Sequence, residues 1–244
     1  MGYSVCVFLV RGQLIDTGFP GAREIVGRLL DERRPRGIVV THQHEDHAGN
    51  VAIAAGRGIP IAMASATEAA LRIGEPNVGL YRRACWGTMG PLRSAFEPHE
   101  PVGLELIATP GHSPDHHVVW DAERATLFAG DLFLGVKVRV ARPMEDPRTL
   151  AMSARRAAAL RPRVLLDSHR GLVPNGAEAL RAKAAWLEET IGAIDAHIAR
   201  GWSDRAITRA VLGREDVVAL VSRGDLSRLN FVRAVRATAA RPGG

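Results

Sequence analysis

Apolar and polar positions alternate along the first part of the chain with the two periods expected of strands and helices. Short apolar runs at 5–10 and 14–16, separated by Arg11-Gly12-Gln13, predict a β-hairpin. Apolar residues at helical spacing predict a helix over 21–34, and the apolar run at 38–40 predicts a buried strand. This order of strands and helices indicates an α/β fold.

The alternation continues through the middle of the chain. Residues 50–57 have the pattern of a helix and 59–64 that of a strand. Ser65-Ala66-Thr67-Glu68 has the pattern of a capping box that opens a short helix. The later predicted elements are a helix from Asp146 to about Leu160 and strands at 102–108, 117–120, 125–129 and 164–167.

Two segments depart from this alternation. Residues 74–98 combine Gly, Pro and Asn with Tyr81 and Trp86, and long irregular segments inside compact domains are often functional. The segment is either a lid whose Tyr81 and Trp86 contact substrate or a surface excursion held by its aromatic residues. In the second segment, 132–144, three cations either bind a substrate carboxylate or phosphate or lie on the solvated face of a strand: Lys137, Arg139 and Arg142.

From Asn175 onward the chain is rich in Ala and Arg and has a helical pattern. We therefore divide it into a main domain, 1–174, and a C-terminal helical extension, 175–244. The long apolar face of the first predicted helix, 176–200, must be buried, either against the main domain or in a homodimer. Shorter helices are predicted at 203–212 and 226–239.

Composition narrows the classes of function. With 244 residues, 46% of them hydrophobic, the chain can bury a full core, and no apolar run approaches the roughly 20 residues that span a bilayer. No membrane partner is expected, and a cytoplasmic location is the default. The net charge of +6 would suit a nucleic-acid partner, but the basic residues are dispersed, so we do not expect one.

The most informative motif follows the strand predicted at 38–40. The stretch Thr41-His42-Gln43-His44-Glu45-Asp46-His47 places three imidazoles and a carboxylate within six positions. Strand alternation directs His42 and His44 to one side, and the turn into a helix brings Asp46 and His47 to a second point nearby. One loop can therefore supply ligands to two metal ions.

This loop resembles the HxHxDH signature of the metallo-β-lactamase superfamily. Three further motifs of that family follow in the family's order: Thr109-Pro110-Gly111-His112, Phe128-Ala129-Gly130-Asp131 and Asp167-Ser168-His169. The resemblance runs from about Tyr3 to Gly171 and departs from the family where Arg170 follows the last His in place of Gly. It implies a four-layer αββα metallo-β-lactamase sandwich, here with a winged-helix-like C-terminal helical extension.

The resemblance also implies a dinuclear metal site. His42, His44 and His112 would hold one ion, Asp46, His47 and His169 the other, and Asp131 would bridge the two. These ligand types favour Zn²⁺, with Fe²⁺ and Mn²⁺ as alternatives. Ions held roughly 3.5–4 Å apart can share a nucleophilic hydroxide. Asp46 is the expected catalytic residue, orienting that hydroxide and carrying a proton to the leaving atom.

Three other residues beside these motifs have expected places. Asp16 is expected to hydrogen-bond ligand imidazoles, and Glu45 to point to solvent or to a main-chain donor. His116 is expected either to support the ligands from behind or to be a buried core histidine.

The implied function is hydrolysis of a small carboxyl derivative, a thioester, lactone or amide, as in the glyoxalase II-like branch. Alternatives are a phosphodiesterase or RNase of the same superfamily, which the helical tail and basic charge support, and a β-lactamase, which the full ligand set disfavours. A binding module with a vestigial metal site is a different class. The seven ligand positions all carry ligating residues, which argues against that class. Tyr81, Trp86 and Lys137 are the expected contacts to a small-molecule substrate.

Overall fold

Two β-sheets packed face to face form the centre of the structure, a computed structural model that describes residues 4–75 and 78–239. Apolar side chains from both sheets meet between them, among them Ile15 and Val39 from one sheet and Val119 and Phe128 from the other. Helices cover both outer faces. The predicted four-layer αββα sandwich is therefore confirmed.

The first sheet has four strands in chain order, with the hairpin pair antiparallel and the other pairs parallel. Its outer face packs against helices through an apolar cluster that includes Leu14, Val26, Leu30 and Ile38. Its strands are β1 (Phe8–Val10), β2 (Gln13–Ile15), β3 (Gly37–Val39) and β4 (Ile61–Ala62), and the helices of this half are α1 (Arg23–Arg33), α2 (Glu45–Ala48), α3 (Val51–Gly56), α4 (Ser65–Ile73) and α5 (Leu80–Trp86).

The second sheet has five strands in chain order, antiparallel except for one central parallel pair. The chain crosses over between the strands of that pair through a helix that packs on the outer face. The strands are β5 (Glu105–Ala108), β6 (His117–Asp121), β7 (Thr126–Phe128), β8 (Val164–Asp167) and β9 (Gly171–Pro174), and the crossover helix between β7 and β8 is α6 (Pro147–Ala159).

Helices of the C-terminal region share the core of the second sheet. The predicted apolar face of the long helix is buried at Leu180, Leu187 and Ile194, against α6 and the last helix. Burial of this face within the chain confirms the first of the two predicted arrangements, and the division at 174/175 stays a prediction. The helices are α7 (Gly176–Ala199), α8 (Asp204–Ile207), continued by a π-helical turn at Thr208–Leu212, α9 (Val217–Val221) and α10 (Arg228–Ala239).

Several local predictions were wrong. Ala64, not Ser65, precedes the first residue of α4 and makes no side-chain cap, and Thr67 bonds to Asp115 instead of capping the helix. The capping box therefore does not form. The pattern also missed β9, α5 and α9, which have only four, seven and five residues. Within the described residues, no helix is both long and apolar enough to cross a membrane.

Candidate metal centre

The loop after β3 places its histidines and Asp46 inside the protein. His42 and His47 are fully buried, and His44 and Asp46 are nearly so. The chain leaves β3, runs extended through His44 and enters α2 at Glu45. The extended part presents His42 and His44, and the helical turn presents Asp46 and His47, as the sequence predicts.

The first ligand group consists of four side chains whose donor atoms all lie within 4.8 Å of one another: His42, His44, His112 and Asp131. The Nδ1 atom of His44 lies 3.0 Å from Nε2 of His42 and 2.9 Å from Nε2 of His112. Three ring nitrogens therefore converge on one point. Such convergence is the arrangement by which imidazole lone pairs bind a cation.

The second ligand group meets the same distance limit with Asp46, His47, Asp131 and His169. The Nε2 atom of His169 lies 3.3 Å from a carboxylate oxygen of Asp46 and 3.3 Å from one of Asp131. His169 is the one partly exposed member of the group, so this side of the centre faces solvent.

Asp131 belongs to both ligand groups through different oxygens. Its Oδ2 lies 3.3 Å from Nε2 of His112, whereas its Oδ1 lies 3.1 Å from Nε2 of His47 and 3.3 Å from Nε2 of His169. A carboxylate with one oxygen toward each group can bridge two cations and hold them close together.

Two buried atoms of this centre lack hydrogen bonds. Nε2 of His47 and Oδ1 of Asp131 are buried and, despite their 3.1 Å separation, do not have hydrogen-bond geometry. A buried polar atom without a partner is costly, and such atoms are uncommon in native proteins. A divalent cation bound by both atoms would satisfy them, so the residues present fit a metal ion.

The pKa values of the histidines in the first ligand group also favour a metal site. Burial lowers the pKa of His112 to about 3 and holds the pKa values of His42 and His44 well below the usual range. These imidazoles are neutral at physiological pH, and a neutral imidazole has a lone pair for a metal.

The second ligand group is dominated by charge. Burial opposes ionisation of Asp131, but the neighbouring His47 and His169 hold its pKa well below the usual range. Burial likewise opposes protonation of His169, and the carboxylates of Asp131 and Asp46 still raise its pKa to about 10. Without metal, a protonated His169 supplies positive charge to this group. A cation must displace that proton to bind.

Asp16 orients two ligands from behind. Its Oδ2 lies 2.8 Å from Nδ1 of His47, and it accepts hydrogen bonds from Thr41, whose hydroxyl lies 3.0 Å from Nδ1 of His42. These contacts occupy the Nδ1 atoms and leave the Nε2 atoms free to face the centre. The predicted role of Asp16 is confirmed, and contacts of this kind tune metal affinity.

His116 supports the bridging residue. It is fully buried, and its Nε2 accepts a hydrogen bond of 3.0 Å from the backbone N–H of Asp131. Its Nδ1 lies 2.9 Å from the hydroxyl of Thr109. Gly130 has a positive φ of 51°, and a Cβ there would lie 2.7 Å from Nε2 of His116. The close approach of His116 therefore requires glycine at position 130. His116 supports the bridging residue from behind, which is the first of the two places expected for it.

Glu45 lies in the opposite environment from the one predicted. It is buried and forms a two-pronged ion pair with the buried Arg82 of α5, with a distance of 2.6 Å between Nε of Arg82 and Oε1. Arg82 also bonds to Glu75 at 2.7 Å. Because burial of a lone carboxylate is costly, Glu45 requires this partner. The prediction missed the pair because 37 residues separate its members.

The family model described as the metallo-beta-lactamase superfamily matches residues 4–169. The chain belongs to this superfamily. Members of the superfamily are metal-dependent hydrolases, and the His and Asp cluster of this chain is suited to divalent cations.

A curated relative and two solved structures extend the comparison. Beta-lactamase-like protein 2 homolog of Caenorhabditis elegans is 29% identical over 147 residues, which are 56% of this chain and 45% of that protein. The chain thus matches under half of that relative's length. TTHA1623, solved in a di-iron-bound form, is 26% identical with a TM-score of 0.56, covering 72% of this chain and 91% of its own.

A metallo-beta-lactamase family protein from Thermus thermophilus, TTHA1429, is 20% identical with a TM-score of 0.60. The alignment covers 98% of this chain and 90% of that protein, so the likeness in fold includes the C-terminal helices.

The three predicted substrate contacts of this superfamily member lie in different places. Trp86 is buried, with its ring centroid 6.2 Å from that of His169 and 5.3 Å from that of Phe19. The hydroxyl of Tyr81 donates to Asp225 at 2.5 Å. Lys137 is exposed, and no contact among the described residues joins it to either ligand group. All three remain predictions as substrate contacts.

Two charged residues lie beside the centre although the sequence analysis gave neither an individual role. Glu145 is partly buried, with a carboxylate oxygen 3.6 Å from Nδ1 of His112, and its desolvation raises its pKa to about 7. Arg142, one of three cations predicted as a set, lies closest to the ligands, 3.5 Å from Nε2 of His44. The segment that carries Arg142, 132–144, is not the alternating strand offered as an alternative, since it pairs only at Ala141.

Proposed function

We propose that this chain is a dinuclear hydrolase of a small carboxyl derivative, a thioester, lactone or amide. The observation that carries the proposal is the placement of Asp131, whose two oxygens face different ligand groups. His42, His44 and His112 would then hold one ion, Asp46, His47 and His169 the other, and Asp131 both. Cations held there would supply a nucleophilic hydroxide and polarise the carbonyl under attack.

Asp46 is the residue that we assign to proton transfer. Burial alone would raise its pKa, but the charges of His47 and His169 lower it, so the group is an ionised carboxylate at neutral pH. Its Oδ2 lies 3.3 Å from Nε2 of His169, on the partly exposed side of the centre where a substrate can enter. An ionised carboxylate in this position can accept a proton from the nucleophile and pass it to the leaving atom.

Trp86 and the bonded pair of Glu45 and Arg82 shape one side of the proposed site. The ion pair fixes α5 to the ligand loop, and Trp86 of the same helix lies beside His169. An apolar ring beside the reacting group excludes water and gives contact area to a substrate. We therefore propose that α5 is a fixed wall of the substrate site.

Zinc is the metal that we propose, because five imidazoles and two carboxylates without a thiolate suit it. The di-iron form of TTHA1623 supports two ions in a site of this kind and makes iron the alternative to test. A cytoplasmic location, the absence of a nucleic-acid partner and a homodimer stay predictions.

A substrate panel tests the proposed reaction. The protein is loaded in turn with zinc, iron and manganese, desalted, and assayed with a thioester, a lactone, a β-lactam and bis(p-nitrophenyl) phosphate. We expect hydrolysis of the thioester or the lactone to be fastest, and to be lost in Asp46→Asn, whose metal content is measured in the same samples. Preference for the phosphodiester would support the nuclease alternative and overturn the proposal.

A further inference from the structure

Arg142 lies at the edge of the first ligand group, and its guanidinium forms no ion pair with any residue in 4–75 or 78–239. Its Nη1 is 3.5 Å from Nε2 of His44, whose Nδ1 faces His42 and His112. When the Nδ1 lone pair of a neutral imidazole points to a cation, the proton resides on Nε2. Nε2 of His44 and the guanidinium are then both donors, so His44 cannot be the partner of Arg142.

No carboxylate of the described part of the chain lies within 4.0 Å of the Arg142 guanidinium. Other guanidinium groups of limited exposure are paired: Arg11 with Asp121, Arg82 with Glu45 and Arg148 with Asp195. An unpaired, half-buried guanidinium beside a reaction centre is well suited to bind an anion, and its planar fork matches a carboxylate.

Residues after 175 hold the segment that carries Arg142. The segment 132–144 has no helix or strand of its own, so its backbone groups need other partners. Ala141 and Ser227 exchange two backbone hydrogen bonds, of 3.0 and 3.2 Å. The fully buried ammonium of Lys183 donates to the carbonyls of Phe133 at 2.6 Å and Gly135 at 3.3 Å.

The same C-terminal stretch, 222–227, which we call the clasp, also holds α5. Asp225 of the clasp accepts the hydroxyl hydrogen bond of Tyr81 at 2.5 Å. The amide of Asn230 fixes the clasp to α10 by donating to the carbonyls of Gly224 and Asp225 at 2.8 and 2.9 Å. The clasp thus joins α5 to the segment of Arg142 and connects both to α10, which contributes Phe231, Val232 and Val235 to the core.

The charge of Arg142 acts on the Tyr81 hydroxyl. Burial raises the pKa of the Tyr81 hydroxyl, as does its bond to Asp225, while the charge of Arg142 lowers that pKa. The hydroxyl and the guanidinium are thus within electrostatic reach of each other.

We infer that Arg142 is a specificity-determining residue that binds a carboxylate of the substrate remote from the reacting carbonyl, and that the clasp holds Arg142 in position. A single guanidinium suits the single charge of a carboxylate. The inference rests on the proposed function and narrows it to carboxyl derivatives that carry a second, ionised carboxylate.

A matched pair of thioesters tests the recognition. The N-acetylcysteamine thioesters of succinate and butyrate differ only in a terminal carboxylate against a methyl group. We expect Arg142→Gln to lower kcat/KM for the succinyl thioester by roughly 10- to 100-fold, mainly through KM, and for the butyryl thioester by less than threefold. Arg142→Lys should recover part of the loss. Equal effects on both thioesters would overturn the inference.

A binding measurement separates this inference from the proposed reaction. Calorimetric titration of the metal-loaded protein with succinate should show binding that Arg142→Gln weakens by a similar factor. If neither thioester is hydrolysed but this difference is found, the proposed reaction fails and the anion site stands. If the wild-type protein does not bind succinate and shows no preference for the succinyl thioester, the anion site fails.

Ser227 provides the test of the clasp. Ser227→Pro removes the N–H that donates to Ala141, whereas Ser227→Ala keeps it and loses only the hydroxyl that accepts from Asn230. We expect the proline variant to lose the succinyl preference and to exchange amide hydrogens faster in 132–144, and the alanine variant to do neither. Tyr81→Phe removes only the bond to Asp225 and serves as the test if the proline variant does not fold. It should raise KM for the succinyl thioester. Retained succinyl preference in both Ser227→Pro and Tyr81→Phe would overturn the role of the clasp.

Discussion

The backbone N–H of Asp131 donates to Nε2 of His116 over 3.0 Å, so the residue that joins the two ligand groups is held by a histidine that belongs to neither. Acceptance at Nε2 requires the ring proton to be on Nδ1, where it points to the hydroxyl of Thr109. Burial lowers the pKa of His116 to about 4, which keeps the ring in this neutral form at physiological pH.

Replacement of His116 should therefore weaken metal binding without removing a ligand. We predict that His116→Phe lowers the affinity for zinc by roughly 10- to 100-fold, the range found for residues that orient ligands from behind. Competition with a chromophoric chelator measures the change. His197→Gln, a substitution away from both ligand groups, is the control, and equal affinities in the two variants would refute the assignment.

Loss of Arg82 should strongly destabilise the fold because it leaves Glu45 buried without its partner. We predict that Arg82→Leu lowers the free energy of unfolding by about 3–5 kcal/mol, as for other broken buried ion pairs. Urea denaturation measures this. Combining Arg82→Leu with Glu45→Gln should recover part of the loss, since no buried charge then remains, and a purely additive effect would contradict the pairing.

Trp86 should affect the choice of substrate more than the binding of metal. Its ring lies beside His169 but has no ligating atom, so Trp86→Ala should change KM and the ranking of substrates while both ions stay bound. Kinetics on the thioester and lactone panel, with metal analysis of the same samples, test this. An unchanged ranking would mean that the ring only fills the space against Phe19.

Lys183 should make stability depend on alkaline pH. Burial lowers its pKa from 10.5 to about 8. Between pH 8 and 10.5 the unfolded chain then binds more protons at this residue than the folded chain, so the contribution of Lys183 to stability rises with pH across that window and is constant below it.

The comparison with Lys183→Met isolates this contribution from other groups that titrate. We predict that the difference in unfolding free energy, wild type minus variant, grows by roughly 2–3 kcal/mol between pH 8 and 10.5. Urea denaturation at three pH values measures it, with Lys183→Gln as the second variant. A difference that does not change with pH would show that Lys183 keeps its charge in the folded protein.

Regular periodicity was sufficient to predict most of the longer helices and strands, whereas the four-layer arrangement followed from the family resemblance. The apolar face of α7 continues over more than six turns, so both the helix and its burial followed from the sequence. Elements of four to seven residues, such as β9 and α5, carry too few positions to show a period. Their positions are set by tertiary contacts, for example between Arg82 and Glu45.

The candidate ligands could be named because the motifs that resemble the family are local, and the structure brings these residues together. Their surroundings depend on distant pairs. His42, His44, Asp46 and His47 lie on one short loop whose spacing can be read directly. Tyr81 and Asp225 are 144 residues apart, and nothing in either local pattern indicates that they meet. Arg142 lies beside the ligands next to Ala141, which pairs with the distant Ser227, and nothing in the local pattern of 132–144 indicates that pairing.

Metal content per chain tests the central claim most directly. The protein is stripped with chelator, saturated with zinc, desalted and analysed by inductively coupled plasma mass spectrometry. Asp131→Ala is treated in the same way for comparison. We expect two equivalents in the wild-type chain, and in the folded variant loss of at least one equivalent with a fall in turnover on the order of 10³-fold or more. One equivalent or less in the wild-type chain with zinc, iron and manganese alike, or wild-type metal content and turnover in Asp131→Ala, would contradict it.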